Sequence, residues 1–345
     1  MSVEKLIPIV NLTPANKMLL TDCVEFEVIP FTECNLACQF CLQGKDRTLR
    51  KDGLTWDNVV EQITQLACTQ TSNNVLITFC GGELLQDKFD DHYRDQLIDT
   101  IKAIRNLDQL VNKNVTVELV TNLVYNNIDR WLELFNECDE VVTSFDLDGR
   151  FTKQSQLRRW FDNIRYLFSH GIKPSVITVI HEFNYDKLLT IKTSNTYEST
   201  VFDWVCNNCE VDFNFLDTSN MRNPRYGVFD PQLIYQWFKW FDENYPNVID
   251  QYYETRVNSS VPDRCGNVVF EIHGQYTNLQ CCDKICMVRD IITRNKCFVC
   301  EYNRLCGFGC LRVQRDIALR SESCQYKRAL KLIHDSYNKR HNKSS

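Results

Sequence analysis

The chain has 345 residues, of which 43% are hydrophobic and 24% charged, and its formal net charge is −6. That length supplies core material for one large or two modest domains, and the composition excludes disorder as the main state. No run of about 18 apolar residues occurs, which excludes a helical membrane span, and Met1 to Lys5 lacks the apolar stretch of a signal peptide, so a cytoplasmic protein is expected.

Val24 to Phe31 sets Val24, Phe26 and Val28 against Glu25 and Glu27, the alternation of a strand. A helix is expected from Thr55, the candidate N-cap, to Thr69, with Val59, Ile63 and Leu66 on one face. Val75 to Phe79 reads as a short apolar strand, and Tyr93, Leu97, Ile101 and Ile104 mark the next helix. Val115 to Val120 is strand-like, Trp131 to Phe135 helical, and Val141 to Phe145 a strand. Leu157, Trp160, Phe161, Ile164 and Phe168 then form a helical stripe, and Val176 to Ile180 and Val211 to Leu216 are two further strands. Six short apolar strands with intervening helices predict an α/β chain with a parallel sheet, a partial (β/α)6 barrel of the TIM type. In such a barrel chemistry gathers at the C-terminal ends of the strands. Glu33-Cys34, Gly81-Gly82-Glu83, Thr121-Asn122, Ser144-Phe145-Asp146 and Asp217 all fall there.

After Asp217 the pattern changes. Asp230-Pro231 opens a helix whose aromatic stripe (Leu233, Ile234, Trp237, Phe238, Phe241) reads as core packing. From Pro262 the chain reads as loop-rich and cysteine-rich, with a metal needed to organise it. The expected division is an N-terminal extension (1–22), the barrel (23–220), a helical linker (221–262) and a cysteine-rich domain with a basic C-terminal helix (263–345).

The 18 cysteines are the anomaly. A reducing compartment makes disulfides a poor explanation, so metal or redox chemistry is considered first. Cys34-x3-Cys38-x2-Cys41 brings three thiols onto one loop after the first strand. Structural zinc wants four protein ligands, whereas three cysteines leave one iron of a four-iron four-sulfur cluster open. Cys297-x2-Cys300-x5-Cys306-x3-Cys310 forms a second dense group, followed by Cys324 and preceded by Cys265, Cys281, Cys282 and Cys286. Cys80 and the pair Cys206 and Cys209 read as packing thiols.

The first motif, with Phe40 before its third cysteine, resembles the radical S-adenosylmethionine (SAM) enzymes. The resemblance implies that Cys34, Cys38 and Cys41 hold a cluster whose open iron binds SAM, and that reductive cleavage of SAM yields a 5′-deoxyadenosyl radical that takes hydrogen from a substrate. Cys80-Gly81-Gly82-Glu83 resembles the family's motif for the SAM amino group, with Leu84 where proline is frequent. Asn122 matches a Thr-Asn-Gly turn in which Leu123 replaces the glycine. Ser144 to Gly149 looks like a Ser-x-Asp-Gly turn with one residue inserted. This gives Ser144 a SAM contact and leaves Asp146 and Asp148 as alternatives. Ile177 to Asn184 resembles the fifth strand and its asparagine turn. A SAM-contacting arginine is expected from among Arg150, Arg158 and Arg159, with Arg158 chosen.

The second group resembles the SPASM domain, which binds two auxiliary four-iron four-sulfur clusters. By that resemblance Cys297, Cys300, Cys306 and Cys324 hold the outer cluster and Cys265, Cys281 and Cys310 the inner one. Cys282 is an alternative to Cys281, and Cys286 a candidate to complete the site. The resemblance implies an enzyme of oxidoreductase or peptide-modifying type. Its expected substrate is a peptide or protein side chain, with Asp217 as acid or base. Expected partners are an electron donor such as a flavodoxin or ferredoxin and a separate peptide-recognition protein. The rival readings are a nucleobase, sugar or other small molecule as substrate, and a non-catalytic iron–sulfur or zinc module. Residues 311–345 carry excess Lys and Arg, which reads as a solvated helix face, with nucleic acid as the alternative partner.

Overall fold

The computed structural model describes residues 23–38, 41, 56–69, 72–107, 112–147, 149–180, 182–215, 231–258, 268–273, 276–279, 302, 305 and 327–341. Six parallel strands follow the expected order: β1 (Cys23–Val28), β2 (Asn74–Phe79), β3 (Asn114–Val120), β4 (Glu140–Phe145), β5 (Ser175–Ile180) and β6 (Val211–Phe215). Each pairs with the next in register. The helices between them are α1 (Trp56–Thr69), α2 (Asp91–Arg105), α3 (Leu132–Glu137), α4 (Gln154–Ser169), α5 (Glu182–Thr190) and α6 (Tyr197–Asn208).

Alternation along the strands separates two faces. Val24, Phe26 and Val28 of β1, Val75, Ile77 and Phe79 of β2, and Val117 and Leu119 of β3 are buried with the apolar stripes of the helices in one core. Val59 and Ile63 of α1, Leu97 and Ile101 of α2, and Trp160 and Ile164 of α4 are completely buried there. Trp160 also donates its indole N–H to the Thr143 hydroxyl on β4, 3.0 Å away, so this buried polar atom is satisfied. The opposite face carries Glu25, Glu27, Glu118 and Ser144, all half-buried. β1 ends at Val28, short of the expected Phe31, because Pro30 has no N–H to give a ladder.

The segment after Pro262 is not all loop. β7 (Val268–His273) pairs parallel with β1, and β8 (Tyr276–Leu279) pairs antiparallel with β7. The sheet therefore has eight strands in the order β6-β5-β4-β3-β2-β1-β7-β8, and among the described residues it does not close into a barrel. A β-branched and aromatic run, Val268 to Ile272, carries the strand signal.

The linker forms two helices, α7 (Pro231–Asn244) and α8 (Pro246–Asn258), and the C-terminal segment forms α9 (Lys327–His341). Ile234, Trp237, Phe238 and Phe241 are buried, so the aromatic stripe is core packing as expected. On α9, Ala329, Leu330 and Ile333 turn inward. Two of its arginines find partners within the fold. Arg340 pairs with Asp242 of α7 and Asp250 of α8, and the Arg328 guanidinium lies over the Tyr235 ring. No helix among the described residues is long and apolar enough to cross a membrane.

Candidate active site at the strand ends

The chain leaving β1 is bound to the turn leaving β2. Cys80 N–H donates to Val28 C=O (3.0 Å), Gly82 N–H to Phe31 C=O (2.8 Å) and Glu83 N–H to Glu33 C=O (2.9 Å). The Gln86 side chain adds a bond to the Glu33 carbonyl at 3.2 Å. Both glycines are obligatory for this contact. Gly81 has φ +129°, and a Cβ there would lie 2.7 Å from the Phe31 oxygen; one on Gly82 would lie 1.8 Å from the Glu33 oxygen. The two glycines thus let the turn lie against the base of the cysteine loop.

Glu83 is 1% exposed. Its carboxylate accepts from the Thr121 hydroxyl (2.8 Å), Leu85 N–H (3.0 Å) and Asn122 N–H (2.6 Å), which ties the end of β2 to the end of β3. Burial pushes its pKa up to about 7 against the pull of these bonds and of Arg150. Asn122 continues the path. Its amide donates to Asn35 Oδ1 at 2.7 Å and to Cys34 Sγ at 3.5 Å, while its own Oδ1 accepts from Val124 N–H at 2.8 Å. The residue where a glycine was expected, Leu123, adopts φ +53°. A leucine in this left-handed region costs on the order of 1–2 kcal/mol. It is held there by full burial and by the Asn163 amide, which donates to the carbonyls of Leu123 (2.9 Å) and Tyr125 (2.8 Å).

The three thiols sit at the head of this path. Burial pushes Cys34 up to about 11, helped by the charges of Glu83 and Cys38 and opposed by Leu36 N–H and the Asn122 amide. Cys38 is raised as well, by burial first; the Arg150 guanidinium works against this, and Cys41 and Asp146 add to it. Cys41 is exposed, and its N–H donates to the Cys38 carbonyl at 3.2 Å. Among the described residues no three cysteine, histidine or acidic side chains stand close enough together to enclose a metal ion. The donor chemistry fits an iron–sulfur cluster nonetheless: three soft ligands on one loop, within electrostatic reach of one another. Binding there must expel thiol protons, because metal is held by thiolate.

A second group lies after β4. Ser144 is half-buried on the inner face, and Asp146 is fully buried. Asp146 Oδ1 accepts from Gly149 N–H (3.2 Å) and the Asn184 amide (3.4 Å). Asn184 also donates to the Val179 carbonyl at 2.9 Å; it belongs to α5, not to a turn. Of the three candidate arginines, Arg158 and Arg159 are exposed, and Arg158 lies over the Tyr197 ring, 5.4 Å from its centroid. Arg150 is half-buried and near enough to Cys38 and Glu83 to favour their charged forms.

Residues 28–193 match the family model described as the Radical SAM superfamily. Over those residues the chain is similar to that family. The structure is similar to "Native anSMEcpe with bound AdoMet", with a TM-score of 0.56 and 13% identity, over 91% of this chain and 99% of that one. It is also similar to "Native anSMEcpe with bound AdoMet and Cp18Cys peptide", with a TM-score of 0.55 and 13% identity, over 92% of this chain and 97% of that one. At such identities the likeness is one of fold. No curated protein matches the chain by sequence.

The strand ends bring together Cys34, Cys38, Gly81, Gly82, Glu83 and Asn122, with Arg150 near Cys38 and Glu83 and Arg158 exposed over Tyr197. Asn35 and Asn163 were not singled out as site residues by the sequence reading, and Arg150 was one of its three candidate arginines. Asp148, His181, Asp217 and all the C-terminal cysteines (Cys265, Cys281, Cys282, Cys286, Cys297, Cys300, Cys306, Cys310 and Cys324) lie outside the described residues. Cys206 and Cys209 end α6, buried and far up in pKa through desolvation, as packing thiols are.

Proposed function

We propose that the chain is a radical SAM enzyme that modifies a peptide or protein side chain. The observation that carries this is the continuous path from Cys34 through Asn122 to buried Glu83, built on a glycine turn that fits only against the cysteine loop. On this reading Cys34, Cys38 and Cys41 hold the four-iron four-sulfur cluster. When bound, the cluster and SAM supply a 5′-deoxyadenosyl radical that removes a hydrogen atom from the substrate. The chain's own residues orient the reactants. Glu83 and Asn122 fix the spacing between the cysteine loop and the ends of β2 and β3. Arg150 supplies the cation for the SAM carboxylate, Ser144 a hydroxyl, and Asp217 an acid or base. Cys297, Cys300, Cys306 and Cys324 hold one auxiliary cluster and Cys265, Cys281 and Cys310 another, in a SPASM-like domain. An external flavodoxin or ferredoxin delivers the electron.

The peptide reading draws support from the fold relative anSMEcpe, seen with a bound Cp18Cys peptide. The nucleic-acid variant of the small-molecule reading leaned on the basic tail, yet Arg340, Arg328 and Lys331 are engaged by Asp242, Asp250, Gln232 and Asp335. The test is anaerobic reconstitution with iron and sulfide, followed by dithionite and SAM. 5′-Deoxyadenosine should form, and replacing Cys34, Cys38 and Cys41 with alanine should abolish it. A fully loaded wild-type protein that releases none is a binding module, and the enzyme reading fails.

A further inference from the structure

The turn after β3 is clasped from two sides, and one clasp is a residue that the proposed cluster and SAM contacts do not use. Asn163 lies on α4 in the same inward stripe as Trp160 and Ile164, and it is 3% exposed. An amide buried among apolar side chains is costly unless its donors are used. They are used: the Asn163 amide donates to the carbonyls of Leu123 (2.9 Å) and Tyr125 (2.8 Å). The carbonyl between them, that of Val124, accepts from the Asn35 amide on the cysteine loop. Consecutive carbonyls are thus held by α4, by the cysteine loop and by α4 again.

This turn presents Asn122. Val124 N–H fixes Asn122 Oδ1 at 2.8 Å, which leaves the amide hydrogens for Asn35 Oδ1 (2.7 Å) and Cys34 Sγ (3.5 Å). Leu36 N–H also donates to Cys34 Sγ, at 3.4 Å. N–H groups aimed at a ligating sulfur stabilise the extra negative charge of a reduced iron–sulfur cluster, and so raise its reduction potential. Leu123, the residue next to Asn122, is fully buried and holds φ +53°, a conformation that costs a leucine energy.

We propose that Asn163 is a positioning residue: by clamping the Leu123 turn it holds the Asn122 amide on Cys34 Sγ, and thereby raises the reduction potential of the cluster at Cys34, Cys38 and Cys41. A turn released from Asn163 relaxes away from positive φ and carries the Asn122 amide off the sulfur. The inference rests on the cluster assignment of the proposed function and is independent of the substrate.

The test is a potentiometric titration of the full reconstituted chain without SAM, followed by electron paramagnetic resonance. The first cluster's signal is the one missing when Cys34, Cys38 and Cys41 are replaced with alanine. Asn163→Leu, a swap of similar shape, should leave the iron content unchanged. The ratio of reduced to oxidised first cluster at a fixed potential should fall about tenfold, which is about 59 mV for one electron. Asn122→Ala removes the donor itself and should lower the ratio at least as far. The double variant should match Asn122→Ala alone, because Asn163 acts through Asn122. An unchanged potential in folded Asn163→Leu overturns the proposal, whatever stability is lost in urea. So does a double variant whose shift is the sum of the two single shifts. Should Asn163→Leu fail to fold by far-UV circular dichroism, Asn163→Ala decides by the same comparison. 5′-Deoxyadenosine is then measured in the same samples after SAM is added. Its absence from wild type beside the expected shift sinks the enzyme reading alone, and its formation with no shift sinks this inference alone. A wild-type chain with no signal that depends on the three cysteines sinks both.

Discussion

The two faces of the sheet follow opposite rules. The helix-facing side is dry and apolar, with Val24, Phe26, Ile77, Val117 and Leu119 fully buried. The inner side and the strand ends carry carboxylates, amides and thiols, several of them half-exposed. One face holds stability in packing, and the other spends it on polar groups kept in fixed positions. Glu83 shows the second rule most sharply: a buried carboxylate with three donors still has a raised pKa, because desolvation outweighs the bonds.

That contrast can be broken at either face. The largest effect is expected from Gly82→Ala, whose Cβ would collide with the Glu33 carbonyl 1.8 Å away. Iron retained after reconstitution should fall by most of one four-iron cluster, with far-UV circular dichroism nearly unchanged. Wild-type iron content in the variant would show that the turn does not set the cysteine loop. On the dry face, Trp160→Ala should lose about 3–5 kcal/mol in urea unfolding, from lost packing and the orphaned Thr143 hydroxyl. It should leave the iron stoichiometry of folded protein intact.

Glu83 sharpens the comparison through pH. Its folded pKa of about 7 stands above the ordinary 4.5, so the folded state holds the proton more tightly. The resulting stabilisation is present in full below about pH 4.5 and is lost as pH rises through about 7. Wild type should therefore lose about 3 kcal/mol relative to Glu83→Gln between pH 4.5 and 7.5, measured by urea unfolding of the cluster-free protein. Parallel curves for the two proteins would refute the raised pKa. The smallest effect is expected from Arg158→Ala, an exposed residue: under about 0.5 kcal/mol in stability and no change in SAM binding. Arg150→Ala should weaken SAM binding, and if Arg158→Ala does so instead, the two arginines exchange roles.

Much of this was legible in the sequence because period reports burial. The strand at Val75 to Phe79 and the stripe Leu157, Trp160, Phe161 and Ile164 give the sheet and its helices directly. That stripe also held an unused signal: Arg158 and Arg159 fall between Leu157 and Trp160, on the outward side of the turn, which already favours Arg150. Helix α5 escaped because its apolar residues form no clean stripe, as in Glu182-Phe-Asn-Tyr-Asp-Lys-Leu-Leu-Thr. β7 escaped because a strand signal six residues long sits among cysteines that point to loops. The part played by Asn163 has no local signature at all. It depends on α4 packing against a turn about 40 residues earlier, which only the folded chain reveals.

The pairing of β7 with β1 has a consequence for the chain as it is made. β1 is the first strand of the described structure, yet the neighbour that closes its outer side arrives about 240 residues later. At a synthesis rate of roughly 5–20 residues per second, that side stays open for something like 10–50 s. During that interval the strand bearing the cysteine loop presents an unpaired ladder of amides and carbonyls, open to wrong partners. The alternating Glu25 and Glu27 place charge on that strand while it waits, which is how exposed edges are kept from joining other chains.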